Sequence, residues 1–185
     1  MTCNPSGCCW YVLRTTYGRE RKAYDYITSQ GAEAFYPTTR RRHLNHQGKL
    51  IHQEMSLLPN IFFLHATLRV AQEFVYDNVH LPYLRFYYDQ HHDGSKEPLI
   101  VPDHQIDNLR RLCSAQSEDT LFVPNTVDKF RIGQHVHIIA GKFKGVTGVV
   151  SRWCGQQRVG IELSGIGIIA TAYVPSAFLE NVDEK

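Results

Sequence analysis

The sequence predicts an α+β protein in two parts, an N-terminal α/β sandwich followed by a small C-terminal β-barrel. Three observations carry this. Strand-like and helix-like apolar periods alternate through residues 1–113. A small, polar stretch, Ser114-Ala115-Gln116-Ser117-Glu118-Asp119-Thr120, then breaks the pattern, and Pro124-Asn125 is a second break. Beyond it helix signals nearly vanish, and Gly133, Gly141, Gly145, Gly148, Gly155, Gly160, Gly165 and Gly167 punctuate short apolar runs, as in small barrels. The division is an N-terminal domain at 1–113, a linker at 114–126 and a C-terminal domain at 127–185.

The first strand is Cys9-Trp10-Tyr11-Val12-Leu13-Arg14-Thr15, aromatic and β-branched. Gly18 opens a helix over residues 19–30, where Ala23, Tyr26 and Ile27 recur at helical spacing and Gly31 stands just past the end. Residues 32–36 are a short strand stopped by Pro37. Residues 38–57 form two polar strands around Asn45-His46-Gln47-Gly48, a hairpin turn signal. Residues 57–66 are a strongly apolar strand with Pro59 near its start. Residues 70–79 are helical, 82–88 a strand, and His91-His92-Asp93-Gly94 a turn. A short strand at 99–101 leads to Pro102-Asp103, where a last helix starts with Asp103 as N-cap and Ile106, Leu109 and Leu112 on one face. Helices should cover one sheet, with most strand pairs antiparallel. In the C-terminal part residues 136–139, 146–150, 159–163 and 166–173 each suit a strand. A domain of about 55 residues is near the lower limit for an independent core.

Composition narrows the function classes. A chain of 185 residues with 43% hydrophobic and 21% charged residues folds rather than staying disordered. No run approaches the roughly 20 apolar residues of a membrane span. Residues 1–7 lack the basic and apolar regions of a signal peptide, so a cytoplasmic location is expected. Cys3, Cys8, Cys9, Cys113 and Cys154 form no C-x-x-C pair, so reduced thiols are expected, with neither a zinc site nor a redox dithiol. His135 and His137 share a strand face, yet no third metal ligand has fitting spacing, and no phosphate loop or nucleophile motif is present. No cofactor is expected. Net charge is only +2, but residues 1–49 hold eight Lys/Arg against three acids, a local +5 that can attract a phosphate backbone.

The run Gly133 to Val150, with the shape G-x-x-V-x-I, then G-x-F-x-G, then x-G-x-V, resembles a KOW motif, the signature of an SH3-like barrel. Gly141 and Gly145 permit a tight turn where positive φ is needed. Trp10-Tyr11-Val12-Leu13 and Gly18-Arg19-Glu20-Arg21-Lys22-Ala23 resemble the opening of a NusG-family N-terminal domain. Leu58-Pro59-Asn60-Ile61-Phe62-Phe63-Leu64 is similar to that family's Pro-Gly-Tyr strand, and Ile-Val-Pro at 100–102 before a helix also fits. The resemblance is collinear over residues 9–182. Asn60 stands where the family has glycine and Ile61 where it has tyrosine, which points to a specialised paralogue. It resembles the UpxY-type antiterminators of capsular polysaccharide operons and, more distantly, RfaH.

The resemblance implies a non-enzymatic transcription elongation factor that promotes antitermination. Its N-terminal domain would bind the clamp helices of RNA polymerase, with Tyr11, Ile61, Phe62 and Phe63 as candidate contacts. Ile61 and Phe63 share one strand face and Phe62 takes the other, so either Phe62 or the pair is core. Arg14, Arg19, Arg21, Lys22 and the Arg40-Arg41-Arg42 run would face upstream or non-template DNA. For Arg40 to Arg42 the alternative is a solvated hairpin that resists edge aggregation. Arg69, Gln72 or Asn78 are weaker candidates for base contacts. The KOW domain would dock a ribosomal protein, Rho or another elongation factor through Phe143 and Lys144, unless Phe143 closes the barrel. Glycine and β-branched residues disfavour a helical form of this domain. A monomer without membrane contact is implied. The alternatives are a housekeeping NusG that couples polymerase to Rho or the ribosome, and a ribosome- or RNA-binding KOW protein.

Overall fold

The computed structural model describes residues 7–16, 18–90, 95–115, 117–124, 133–153 and 155–182. The order is β1 (Cys9–Thr15), α1 (Glu20–Ser29), β2 (Glu33–Phe35), β3 (Thr38–Leu44), β4 (Leu50–Ser56), β5 (Ile61–Ala66), α2 (Leu68–Gln72), a π-helical turn (Glu73–Asp77), β6 (Leu84–Phe86), β7 (Tyr88–Gln90), β8 (Lys96–Pro98), β9 (Ile100–Val101), α3 (Asp103–Ser114) and β10 (Leu121–Pro124). It continues with β11 (His135–Ile138), β12 (Thr147–Trp153), β13 (Gln156–Leu163), β14 (Gly167–Ala170), a 3-10 turn (Ser176–Phe178) and β15 (Leu179–Asn181). Two compact units form, Met1–Pro37 with Leu58–Ile106, and Thr38–Leu57 with Asp107–Lys185.

The first unit is built on an antiparallel sheet of order β2-β5-β1-β6, with β9 also on β1. Alternation along β1 and β5 sends Cys9, Tyr11, Leu13, Phe62, Leu64 and Ala66 into one core cluster, closed by Ala23 and Ile27 of α1 and Ala71 of α2. β5 is buried at five of its six positions, so it lacks the polar face of a half-solvated strand. It also starts later than the apolar run suggests. Pro59 and Asn60 form a turn closed by the Ile61 N–H on the Leu58 carbonyl at 3.2 Å, and Asn60 has φ +62°. Pro at the second and positive φ at the third position is the type II pattern. The helix expected over 70–79 is instead α2 followed by the π-helical turn. Asp103 is the first residue of α3 rather than its cap; the Pro102 carbonyl accepts from Gln105 and Ile106.

The second unit holds an antiparallel sheet of order β10-β14-β13-β12-β11-β15. β10 and β15 end this order, so the pairing does not close into a barrel among the described residues. Residues 121–124, read from sequence as linker, pair with β14, Leu121 opposite Ala170 and Phe122 opposite Ile169. The segment before β10 is anchored too. Buried Arg158 donates through Nη1 to the carbonyls of Asp119 at 2.7 Å and Thr171 at 2.8 Å. The β3–β4 hairpin joins this unit, and its buried Thr39 hydroxyl donates to the Ser117 carbonyl at 3.0 Å.

Cys9 is disulfide-bonded, which corrects the expectation of reduced thiols throughout. Cys8 and Cys113 are free thiols. Burial pushes the Cys113 thiol up to about 12, against a smaller opposing effect of the Thr38 backbone hydrogen bond, so it stays protonated at neutral pH. That contribution to stability is complete below the ordinary thiol range and is lost as pH rises from there towards 12.

Candidate functional site

The four apolar candidates of the first unit sit together on β1 and β5, where Val12 faces Phe63, Leu13 faces Phe62 and Arg14 faces Ile61 across the ladder. Tyr11 and Phe62 belong to the core cluster, and Tyr11 meets Phe86 edge-on at 6.0 Å between ring centres. Burial raises the Tyr11 phenol above its ordinary value, with a smaller push from Cys8. Ile61 and Phe63 point to the opposite sheet face, where Phe63 stacks with Phe35 at 6.2 Å. All four residues are buried, so none offers an exposed apolar surface in this structure.

The turn that begins β5 also locks the loop before α1. The Asn60 carboxamide oxygen accepts the Gly18 N–H at 3.0 Å, and the Asn60 carbonyl accepts the Thr15 N–H at 2.9 Å. The Asn60 N–H in turn donates to Glu20 at 3.4 Å. Asparagine can replace the family's glycine because it tolerates positive φ, and its side chain adds a bond that glycine cannot make. Asn60→Ala should therefore cost about 2 kcal/mol, from left-handed strain plus one lost hydrogen bond. Asn60→Gly removes only the bond, so urea melts should rank wild type above glycine and glycine above alanine.

This lock presents the basic residues. Arg14 is exposed on β1, directly opposite Arg85 on β6. Two like charges opposed across a ladder repel, and an anion between them relieves that. The Arg19 guanidinium lies over the Tyr83 ring, 5.0 Å from its centre. Arg21 pairs with Asp25 at 3.2 Å and lies 6.0 Å from the Tyr36 ring centre. Lys22 is exposed beside it. Arg85 and Tyr83 were missed from sequence; the apolar-basic-apolar order of Leu84-Arg85-Phe86 is visible there, but not that Arg14 stands opposite.

The proposed base readers fare differently. Arg69 is paired with Glu73 at 3.1 Å, and the Asn78 carboxamide caps the His80 N–H at 2.9 Å. The shallow groove there, about 380 Å³, includes Glu73 and Asp77 in its lining, which repel phosphate.

Arg40, Arg41 and Arg42 belong to the second unit, so the basic residues fall in two groups. They are exposed on β3, opposite Glu54, Gln53 and His52 of β4. Arg42 is held by Glu118 at 2.5 Å, and His52 approaches the same carboxylate at 3.5 Å. In the 141–147 loop Gly141 and Gly145 have φ of +81° and +89°, as the motif requires. Phe143 is buried and Lys144 exposed. α3 holds this loop within the second unit: Arg111 Nη1 donates to the Gly145 carbonyl at 2.8 Å, and the Thr147 N–H donates to Asn108 Oδ1 at 3.1 Å. His137 of β11 bonds Thr147 at 3.0 Å. No group of three metal-ligating side chains occurs among the described residues; His91 and His92 lie outside them.

The first unit is thus a helix-backed antiparallel sheet that carries Arg14, Arg19, Arg21, Lys22 and Arg85 near a turn-locked loop. A family model described as "Transcription termination factor nusG" matches residues 8–110, the span from β1 into α3. This is more than half of the chain, and the chain belongs to the NusG family, whose members are non-enzymatic transcription factors of elongation and antitermination that bind RNA polymerase. No curated protein matches the chain by sequence.

Proposed function

We propose that the chain is a specialised elongation factor that binds the clamp helices of RNA polymerase and drives antitermination on long operons, of the kind that encode surface or capsular polysaccharide. The observation that carries polymerase binding is the family match over residues 8–110. The specialist reading rests on the Leu58-Pro59-Asn60-Ile61 turn, where asparagine and isoleucine replace the family's glycine and tyrosine. Ile61 and Phe63 are the polymerase contacts on this reading, while Tyr11 and Phe62 hold the core. Because Ile61 and Phe63 are buried here, contact requires whatever covers them to move away.

Arg14, Arg19, Arg21 and Lys22, with Arg85 added, would hold upstream or non-template DNA through phosphates, and Arg40 to Arg42 would do so from the hairpin. The sheet of β11 to β15 is read as a KOW-type barrel of a C-terminal domain at 127–185, following an N-terminal domain at 1–113 and a linker at 114–126 whose residues 121–124 add β10 to that sheet. Its positive-φ glycines support this reading. Lys144 is then the exposed loop contact for a ribosomal protein, Rho or another elongation factor, and buried Phe143 shapes the loop. The factor works as a cytoplasmic monomer; no described helix is long and apolar enough to cross a membrane.

Transcription in vitro tests the reading. Adding the full chain to elongating polymerase should raise read-through past intrinsic and Rho-dependent terminators several-fold. More Rho-dependent termination would favour the housekeeping alternative, and no effect on elongation would refute both.

A further inference from the structure

We infer that the β3–β4 ribbon is a DNA-bending arm, in which the stem arginines hold phosphates while Leu44 and Leu50 wedge into a base step from the minor groove. This rests on the nucleic-acid reading of Arg40, Arg41 and Arg42 and extends it to the hairpin tip.

Residues 38–56 carry Arg40, Arg41, Arg42 and Lys49 against Glu54 alone, a net charge of +3. The ribbon pairs in unbroken register from Thr38 opposite Ser56 to Leu44 opposite Leu50. Arg40, Arg42 and Leu44 share one face by alternation, and Arg41 takes the other, so both faces offer charge to flanking strands of a duplex. The last pair before the turn is apolar on both sides, with Leu44 66% and Leu50 53% exposed. Single exposed leucines are ordinary, but two opposed across the end of a basic ribbon concentrate apolar surface at its point.

That point is held rigid. The Asn45 N–H donates to the Lys49 carbonyl at 2.9 Å, and the Gly48 N–H donates to the Asn45 carbonyl at 2.9 Å. Asn45 Oδ1 accepts from the Gln47 and Lys49 amides at 3.0 and 2.9 Å, and Gly48 takes φ +72°. A preordered tip loses little entropy on insertion. Basic strands with apolar residues inserted between base steps are how architectural proteins kink DNA, favouring flexible pyrimidine–purine steps. Glu118 holds Arg42 through a pair whose arginine side is exposed and whose carboxylate is half-buried, so phosphate competes for the guanidinium from the solvent side. A basic stem with an apolar tip would also suit an anionic bilayer; membership of a transcription-factor family decides for DNA.

The test uses the full chain with a 30-base-pair duplex carrying a central TA step and end-labelled for energy transfer. Wild type should bind and raise transfer. Leu44→Ser with Leu50→Ser should erase the rise and weaken binding about ten-fold while leaving the salt slope unchanged, because no counterion release is lost. Arg40→Ala with Arg41→Ala should lower that slope by about 2. Bending that persists in the leucine variant overturns the wedge alone. An unchanged slope in the arginine variant, or no DNA binding by wild type, overturns the nucleic-acid reading beneath it. Binding to phosphatidylglycerol vesicles that depends on the leucines, without DNA bending, also overturns the proposal.

Discussion

Phe62→Ala is expected to destabilise the first compact unit by about 3–5 kcal/mol, the range for emptying a fully buried phenylalanine site. Phe62 has no exposed surface and sits in the cluster that joins the sheet to α1 and α2. Its neighbour across the ladder, Leu13, cannot collapse into the hole, because β1 is held by β5 on one side and by β6 on the other, where Leu13 faces Phe86. Against total stabilities of about 5–15 kcal/mol, such a loss leaves part of the chain unfolded near physiological temperature. Chemical denaturation followed by circular dichroism measures it. A loss below about 1 kcal/mol would mean that Phe62 is not the core residue described, and would return it to the list of polymerase contacts.

Gly148→Ala is the second large effect, and its cause is crowding rather than φ. A Cβ on Gly148 would meet the Gly160 carbonyl oxygen on the adjacent strand and would lie 2.9 Å from Val159 Cγ1. The first of these is backbone within the β12–β13 ladder, where Val149 pairs with Gly160, so it cannot turn aside as a side chain would. Relief requires the two central strands of the sheet to part, and overpacking of this kind costs about 1–3 kcal/mol or more. The melting temperature should fall by several degrees. Gly155→Ala, by contrast, meets open space and carries only the strain of its φ of +76°. Equal melting temperatures for Gly148→Ala and wild type would refute the close approach.

The parts of the fold that local chemistry determines were legible. The Asn45-His46-Gln47-Gly48 turn carries its own hydrogen bonds, so the β3–β4 hairpin could be placed from four residues. Gly141 and Gly145 were placed by the resemblance to a KOW motif, and both take the positive φ that favours glycine. Non-local pairing was not legible. β10 is four residues long and its partner β14 begins at Gly167, so nothing near Leu121 marks it as a strand. Burial of the polymerase candidates was half legible: alternation separates Phe62 from Ile61 and Phe63, but no local rule reveals that the second face of β5 is covered as well. Asn60 stood out as a departure from the family pattern, and only the structure shows its bond to Gly18 and hence why the departure is tolerated. Arg85 escaped because its importance comes from Arg14 opposite it, which is a matter of register.

The proposed contact of this chain on RNA polymerase is the clamp helices. The most direct measurement is binding of the full chain to purified polymerase, with the isolated clamp-helix coiled coil as competitor. Saturable binding that excess coiled coil displaces, that Phe63→Ala weakens at a temperature where circular dichroism shows this variant folded, and that Arg41→Ala leaves intact, is the expected result. Binding that the coiled coil does not displace, or no binding to polymerase at all, would rule out the clamp-helix contact.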